Sequence, residues 1–194
     1  MSAVFVVFSF MVDKGVFRSF DHRTAFWLKD HVSIVLAWFF AVVCRTGNAE
    51  ITVPAGILIA AWGIVKKRGN GLFGGFWIFW LVAGIALEHF LKLHLLQPHP
   101  TRAVLNDPLR GFQLIHIPLP FAPGSYPSGH TFRAFWLAFL VAESAPGWLR
   151  LTKVWAILVM GGVIALGWHW ATDTAGGLIF AFMGATLLGR FRRS

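Results

Sequence analysis

The polar residues of this chain fall into narrow bands, and long apolar runs lie between them. Residues 51–65, 72–96, 129–145, 152–168 and 173–189 are each dominated by aliphatic and aromatic side chains. A helix that crosses the hydrocarbon core of a bilayer needs about 20 such residues, so these runs predict membrane-spanning helices. Lys66-Lys67-Arg68-Gly69-Asn70-Gly71 closes the first run, Pro146-Gly147 separates the third from the fourth, and a corner at His169–Asp173 separates the last two.

The remaining segments read differently. Residues 3–12 are apolar but too short to span unaided. Beyond them Asp13, Lys14, Arg18, Asp21, Arg23, Lys29 and Asp30 interleave with Phe17, Phe20, Phe26, Trp27 and Leu28. That mixture suits a helix lying in the headgroup zone. No basic stretch precedes the apolar run, so a cleavable signal peptide fits poorly. Residues 32–43 form either a short span or a second interfacial helix, and both readings stay open. Residues 97–127 hold seven prolines in a stretch longer than a connector requires. Long loops of this kind form lids or sites. The expectation is an all-α, polytopic transmembrane bundle of about six helices, forming one membrane-embedded domain over residues 1–194. Residues 1–30 would be interfacial and residues 72–190 the functional core.

Composition strengthens the membrane reading. The chain is 57% hydrophobic and only 13% charged, whereas a soluble domain carries roughly 25% charged residues. Its mean hydropathy is +0.67. The lone Cys44 excludes an intramolecular disulfide framework. A net charge of +9 raises the question of nucleic acid. The basic residues, however, sit in short clusters between apolar runs, which is the signature of membrane topology, so no nucleic-acid partner is expected. Lys66/Lys67/Arg68, Arg150/Lys153 and Arg190/Arg192/Arg193 share one side if the four intervening runs all span. The positive-inside rule makes that side cytoplasmic. The loop before His130 and the corner at His169 then share the opposite, external face.

Candidate chemistry collects on that face. Pro127-Ser128-Gly129-His130 reads as a helix N-terminus with Ser128 as cap and Gly129 allowing close approach to a ligand. The unpaired N–H groups of such a terminus make a ready anion site, and a first-turn histidine adds proton chemistry. His169 and Asp173 stand four apart, so on a helix the carboxylate can take the N–H of one ring nitrogen. The other nitrogen is then a nucleophile or base. A purely structural polar pair at a helix start explains the same spacing. Lys92 can either reach a phosphate from the outer end of its run or snorkel to the headgroups. His89, His94 and His99 recur every five residues, but successive rings on a helix would lie about 140° apart, so no metal site is expected. Gly161-Gly162 and Gly176-Gly177 are read as allowing close helix packing.

Three blocks together resemble the type-2 phosphatidic-acid phosphatase superfamily of integral-membrane lipid phosphatases, whose pattern is K-x6-R-P, P-S-G-H and S-R-x5-H-x3-D. Here they read Lys92-x6-His99-Pro100, Pro127-Ser128-Gly129-His130 and Gly162-Val163-x5-His169-x3-Asp173. The resemblance covers roughly residues 72–190. It implies a cofactor-free, metal-independent phosphoryl transfer at the external face of the cell (inner) membrane. His169 would be the nucleophile that forms a phosphohistidine, Asp173 would fix its tautomer, and His130 would protonate the leaving oxygen. Lys92, His99, Ser128 and Gly129 would hold the phosphate. Both arginines of the pattern are absent, replaced by His99 and Val163, with Gly162 in place of the serine. Arg133, one turn beyond His130, is the first candidate substitute, against a reading as a lipid-facing snorkeller; Arg102 is the second.

The function expected is hydrolysis of a lipid phosphate or diphosphate. Polyprenyl diphosphate is favoured, with phosphatidylglycerophosphate and phosphatidate as runners-up. The partners implied are that substrate and membrane lipid, with no obligatory protein partner. The alternatives are a lipid phosphotransferase using the same phosphohistidine, or a catalytically degenerate lipid-binding protein.

Overall fold

The structure, a computed structural model, describes residues 1–66, 71–111 and 123–191. Eight α-helices occur among the described residues: α1 (Ser2–Asp13), α2 (Arg18–His31), α3 (Ile34–Thr46), α4 (Ala49–Lys66), α5 (Gly71–His94), α6 (Gly129–Ser144), α7 (Leu149–Ala165) and α8 (Ala171–Phe191). The all-α transmembrane architecture is the one expected. The helix number exceeds six because residues 1–46 form three helices. Lys67, Arg68, Arg192 and Arg193 of the basic clusters lie outside the described residues.

Helix α6 is the axis of the bundle. It packs against α4, α5, α7 and α8, and its buried residues point in every direction around it. Phe132, Ala134, Trp136, Ala138 and Leu140 are almost wholly inaccessible, with Trp77, Leu81, Val159, Val163 and Leu166 around them. Trp136 donates its indole N–H to the Trp77 carbonyl at 2.9 Å, which removes the penalty of burying that group. The outer helices show the complementary pattern. Val35, Trp38, Leu58, Trp62, Phe79, Val82, Val154 and Ile157 are all exposed. An apolar belt of that extent on helices is a lipid-facing surface, because only helices satisfy their own backbone groups in hydrocarbon.

Three stretches are long and apolar enough to cross a membrane alone: Gly74–His94, Pro146–Ala165 and Ala171–Gly189. Helix α3 has 13 residues, or about 20 Å against a hydrocarbon core of roughly 30 Å. It qualifies only jointly with α2, from which it bends by 119°. Helix α3 packs on α7 and reaches about two-thirds of a full span's length.

The N-terminus also departs from a single surface helix. Helix α1 stops where Gly15 turns left-handed (φ 70°). The N–H of Val16 reaches the Met11 carbonyl and that of Gly15 the Val12 carbonyl, the pair of bonds that closes a helix over a left-handed residue. The helix then lies along α8. The Phe5 ring lies tilted against that of Phe180 with centroids 5.4 Å apart, and Ser9 shares a 2.9 Å hydrogen bond with the Tyr126 hydroxyl.

Helices α6 and α8 meet through glycine. A β-carbon at Gly177 would stand 2.5 Å from the Ser128 carbonyl oxygen, and one at Gly176 would stand 2.4 Å from the Tyr126 ring. Gly162 likewise lies against the Cys44 sulfur, but Gly161 faces open space, so only three of the four paired glycines serve close packing. Gly177→Ala should therefore cost about 1–3 kcal/mol by overpacking a backbone contact. Gly161→Ala should shift stability by no more than about 1 kcal/mol, in the stabilising direction. Thermal unfolding of both variants in detergent checks the contrast.

Candidate active site

The corner that carries His169 is built by two helix ends. Helix α7 terminates at Gly167, which is left-handed (φ 72°). The N–H of Gly167 reaches the Ile164 carbonyl, and those of Trp168 and His169 both reach the Val163 carbonyl. A side chain at Gly167 would also strike the backbone of Val104, so the site is closed to other residues twice over. Helix α8 then starts at Ala171, and Asp173 in its first turn reaches back to the Trp170 N–H at 2.9 Å. That bond is the acidic half of a capping box. The same oxygen, Oδ2, lies 3.2 Å from Nδ1 of His169. One carboxylate oxygen thus both caps α8 and faces the His169 ring.

His169 is buried and lies outside the spanning segments. Burial, then the positive charge of Lys92, holds its pKa well below the ordinary imidazole value. The ring is therefore neutral at neutral pH. With Nδ1 turned to Asp173, Nε2 carries the free lone pair.

Helix α6 brings the second histidine. Ser128 caps it as expected, its Oγ accepting the Thr131 N–H at 3.4 Å. The Ser128 N–H donates to the Asp173 carbonyl at 2.9 Å, which ties the start of α6 to the start of α8. The rings of His130 and His169 consequently come within 6.1 Å, nearly edge to face. Nε2 of His130 lies 2.9 Å from Oδ1 of Asn48, whose amide nitrogen is oriented by Glu50 at 3.3 Å. Trp168 stands against the other side of the His130 ring, centroid to centroid 5.4 Å.

Cations line the same region. Lys92 pairs with Oε1 of Glu88 at 2.7 Å, and Nη1 of Arg133 approaches Oε2 at 3.3 Å. Arg133 is 8% exposed. It is therefore no lipid-facing snorkeller but projects to the Lys92 end of α5. Its Nε is buried with no hydrogen-bond partner among the described residues. His99 is exposed between Pro98 and Pro100. Arg102 is exposed at the start of a 3-10 turn, Arg102–Val104, and joins none of these pairs. Val163 is fully buried in the core beside α3, so that position supplies no polar group.

Three supports of the site escape a reading of the sequence. Asn48 and Glu88 are two. The third is Asp21 of α2, which accepts the Thr172 N–H at 3.0 Å, the Thr172 hydroxyl at 2.6 Å and the Gln97 amide at 3.3 Å. It caps α8 beside Asp173 from 151 residues away. The described part of the proline-rich loop covers the corner from outside. Trp170 donates to the Pro98 carbonyl at 2.7 Å, and Asp107 takes both the Trp168 indole at 3.2 Å and Arg45 at 3.3 Å. Residues 112–122 of that loop lie outside the described residues.

An eight-helix membrane bundle with a buried His–Asp pair, a second histidine and two cations at one end defines a class of integral-membrane protein. The PAP2 superfamily model matches residues 74–193, and the chain belongs to that superfamily. Its fold is similar to that of a transmembrane PAP2-type phosphatidylglycerolphosphate phosphatase from Bacillus subtilis. The TM-score is 0.70 at 18% identity, over 97% of this chain and 94% of the other. Among curated proteins none matches.

A neutral folded-state His169 has a consequence for stability. In the unfolded chain its pKa returns to about 6.5, so below that pH the unfolded state binds the extra proton. The contribution is complete above about pH 6.5 and shrinks as pH falls below it. Melting temperature in detergent should decline over that acid range, and His169→Gln should make the slope shallower.

Proposed function

We propose that the chain is a lipid phosphate phosphatase working through a phosphohistidine on His169. The observation that carries this reading is the 6.1 Å approach of the two histidine rings, with Asp173 on Nδ1 of one of them. In the first step Nε2 of His169 bonds to phosphorus as the bond to the lipid oxygen breaks. His130, protonated from solvent once the phosphate's negative charge is bound beside it, gives that oxygen its proton. In the second step water attacks phosphorus, His130 takes its proton, and the N–P bond breaks to release inorganic phosphate. Phosphoryl transfer of this kind rests on positioning and charge neutralisation, and no step calls on a metal. Lys92 and Arg133 hold the phosphoryl oxygens, together with His99, Ser128 and the Gly129 backbone at the start of α6.

The bound lipid keeps its tail in the bilayer against the apolar belt and presents its head at the outer end of α5. Arg150 and Lys153 begin α7, and the site lies past its other end. By the positive-inside rule, this arrangement supports a site on the extracytoplasmic face of the cell membrane. The head is a phosphate or diphosphate; the similar Bacillus subtilis protein is named for phosphatidylglycerolphosphate.

Phosphate release from a panel of lipid phosphates tests the reading. The protein should release inorganic phosphate from at least one member, and His169→Ala should abolish release. Arg133→Ala should lower kcat/KM by about 100-fold or more, the loss typical of removing one preorganised donor. A labelled phosphoryl group appearing on a second lipid instead of as free phosphate would favour the transferase. Turnover that survives His169→Ala would remove the nucleophile.

A further inference from the structure

Glu88 has no place in the family pattern, yet it sits where the phosphate should go. A β-carbon built on Gly129 would stand 2.2 Å from its Oε1 and 2.3 Å from its Oε2. Both carboxylate oxygens therefore face the first residue of α6, the helix terminus expected to bind an anion. The carboxylate also takes both side-chain cations of the site, Lys92 at 2.7 Å and Arg133 at 3.3 Å. An ordinary helix-surface pair four residues apart accounts for Lys92 alone. It does not account for Arg133 from another helix or for the seat against Gly129. Arg133 meanwhile keeps a buried Nε without a partner among the described residues, so its guanidinium has a donor to spare for a further anion.

We propose that Glu88 is a specificity-determining residue, an internal anion seated in the phosphate site that selects phosphate monoesters over diphosphates. This deepens the phosphatase reading above and rests on it. The charges facing the site are Lys92, Arg133, Glu88 and Asp173, with the titratable rings of His99, His130 and His169. Arg45 is committed to Asp107 and to the carbonyls of Ala41 and Leu109. Residues 112–122 contain no Lys, Arg, Asp or Glu, so the rest of the loop brings no further fixed charge. With both pattern arginines absent, Glu88 offsets one of the two remaining cations. With Asp173 turned to His169 and the Trp170 N–H, Lys92, Arg133 and Glu88 leave a single positive charge in the clamp, which meets the roughly 1.5 to 2 negative charges of a phosphate monoester better than the larger charge of a diphosphate. A diphosphate adds one or two negative charges beside a carboxylate that cannot leave its buried partners cheaply. Glu88 therefore turns the expectation away from polyprenyl diphosphate and towards a lipid with one terminal phosphate.

Two measurements decide it. The first compares kcat/KM for a lipid monophosphate and a lipid diphosphate in the native protein and in Glu88→Gln. The proposal expects the native protein to favour the monophosphate, and the variant to raise the diphosphate-to-monophosphate ratio at least tenfold. An unchanged ratio, with both substrates affected alike, overturns it. The second needs no variant: inorganic phosphate should inhibit the native protein at lower concentration than pyrophosphate does. Tighter inhibition by pyrophosphate overturns the proposal even if Glu88→Gln fails to fold. A native protein that releases no phosphate from either lipid rejects the phosphatase reading, whereas release with the wrong selectivity rejects only the role of Glu88.

Discussion

The start of α6 rests on α8 with no side chain between them, and the approach of the two histidines follows from that contact. The Ser128 N–H donates to the Asp173 carbonyl, and the absence of a side chain at Gly177 lets the Ser128 carbonyl settle on α8. Separation by even one methylene would be felt in a close-packed interior. His130 and His169 lie 39 positions apart in the chain, yet this packing holds their rings 6.1 Å apart. Asp173 joins the arrangement at three levels: its carbonyl anchors α6, its carboxylate caps α8, and the same carboxylate orients His169.

Around that contact the bundle gathers charges that a membrane interior would not tolerate singly. Glu88, Lys92 and Arg133 are each largely buried and mutually paired. Desolvating three ions is costly, and the cost is offset only while every partner stays in place. Such a cluster at the end of a helix inside a membrane protein marks a functional site more readily than a stabilising one. Val163 lies in the hydrophobic core and His99 stands at the surface. In the proposed function Arg133, which reaches this cluster from α6, brings the fork of donors that neither of those side chains offers.

The hydrophobic pattern marks α4 to α8 to within a few residues, because a helix that faces lipid, or lies at the centre of the bundle as α6 does, must be apolar along most of its length. The cap at Ser128 and the His169–Asp173 pair were legible too, since each depends on local spacing. What escaped depends on long-range packing. Asp21 looks like one more headgroup-zone charge until α2 folds back over the start of α8. Asn48 looks like a loop residue until it meets His130. Glu88 looks like the partner of Lys92 alone, because nothing local says that α6 begins against it. The helix boundary at Ala165 falls earlier than the apolar run implies, because Gly167 ends α7 while hydrophobic residues continue. Helix α1 was read as a surface segment from its length, and its buried face against Tyr126 and Phe180 appears only in the fold.

The central claim is that two remote imidazoles share one phosphoryl group, and vanadate reports on it most directly. A structure of the protein with vanadate should show the metal oxyanion bonded to Nε2 of His169, within reach of His130 and with Arg133 and Lys92 on its oxygens. Vanadate bound away from His169, or the two rings found on opposite faces of the bilayer, would contradict the account.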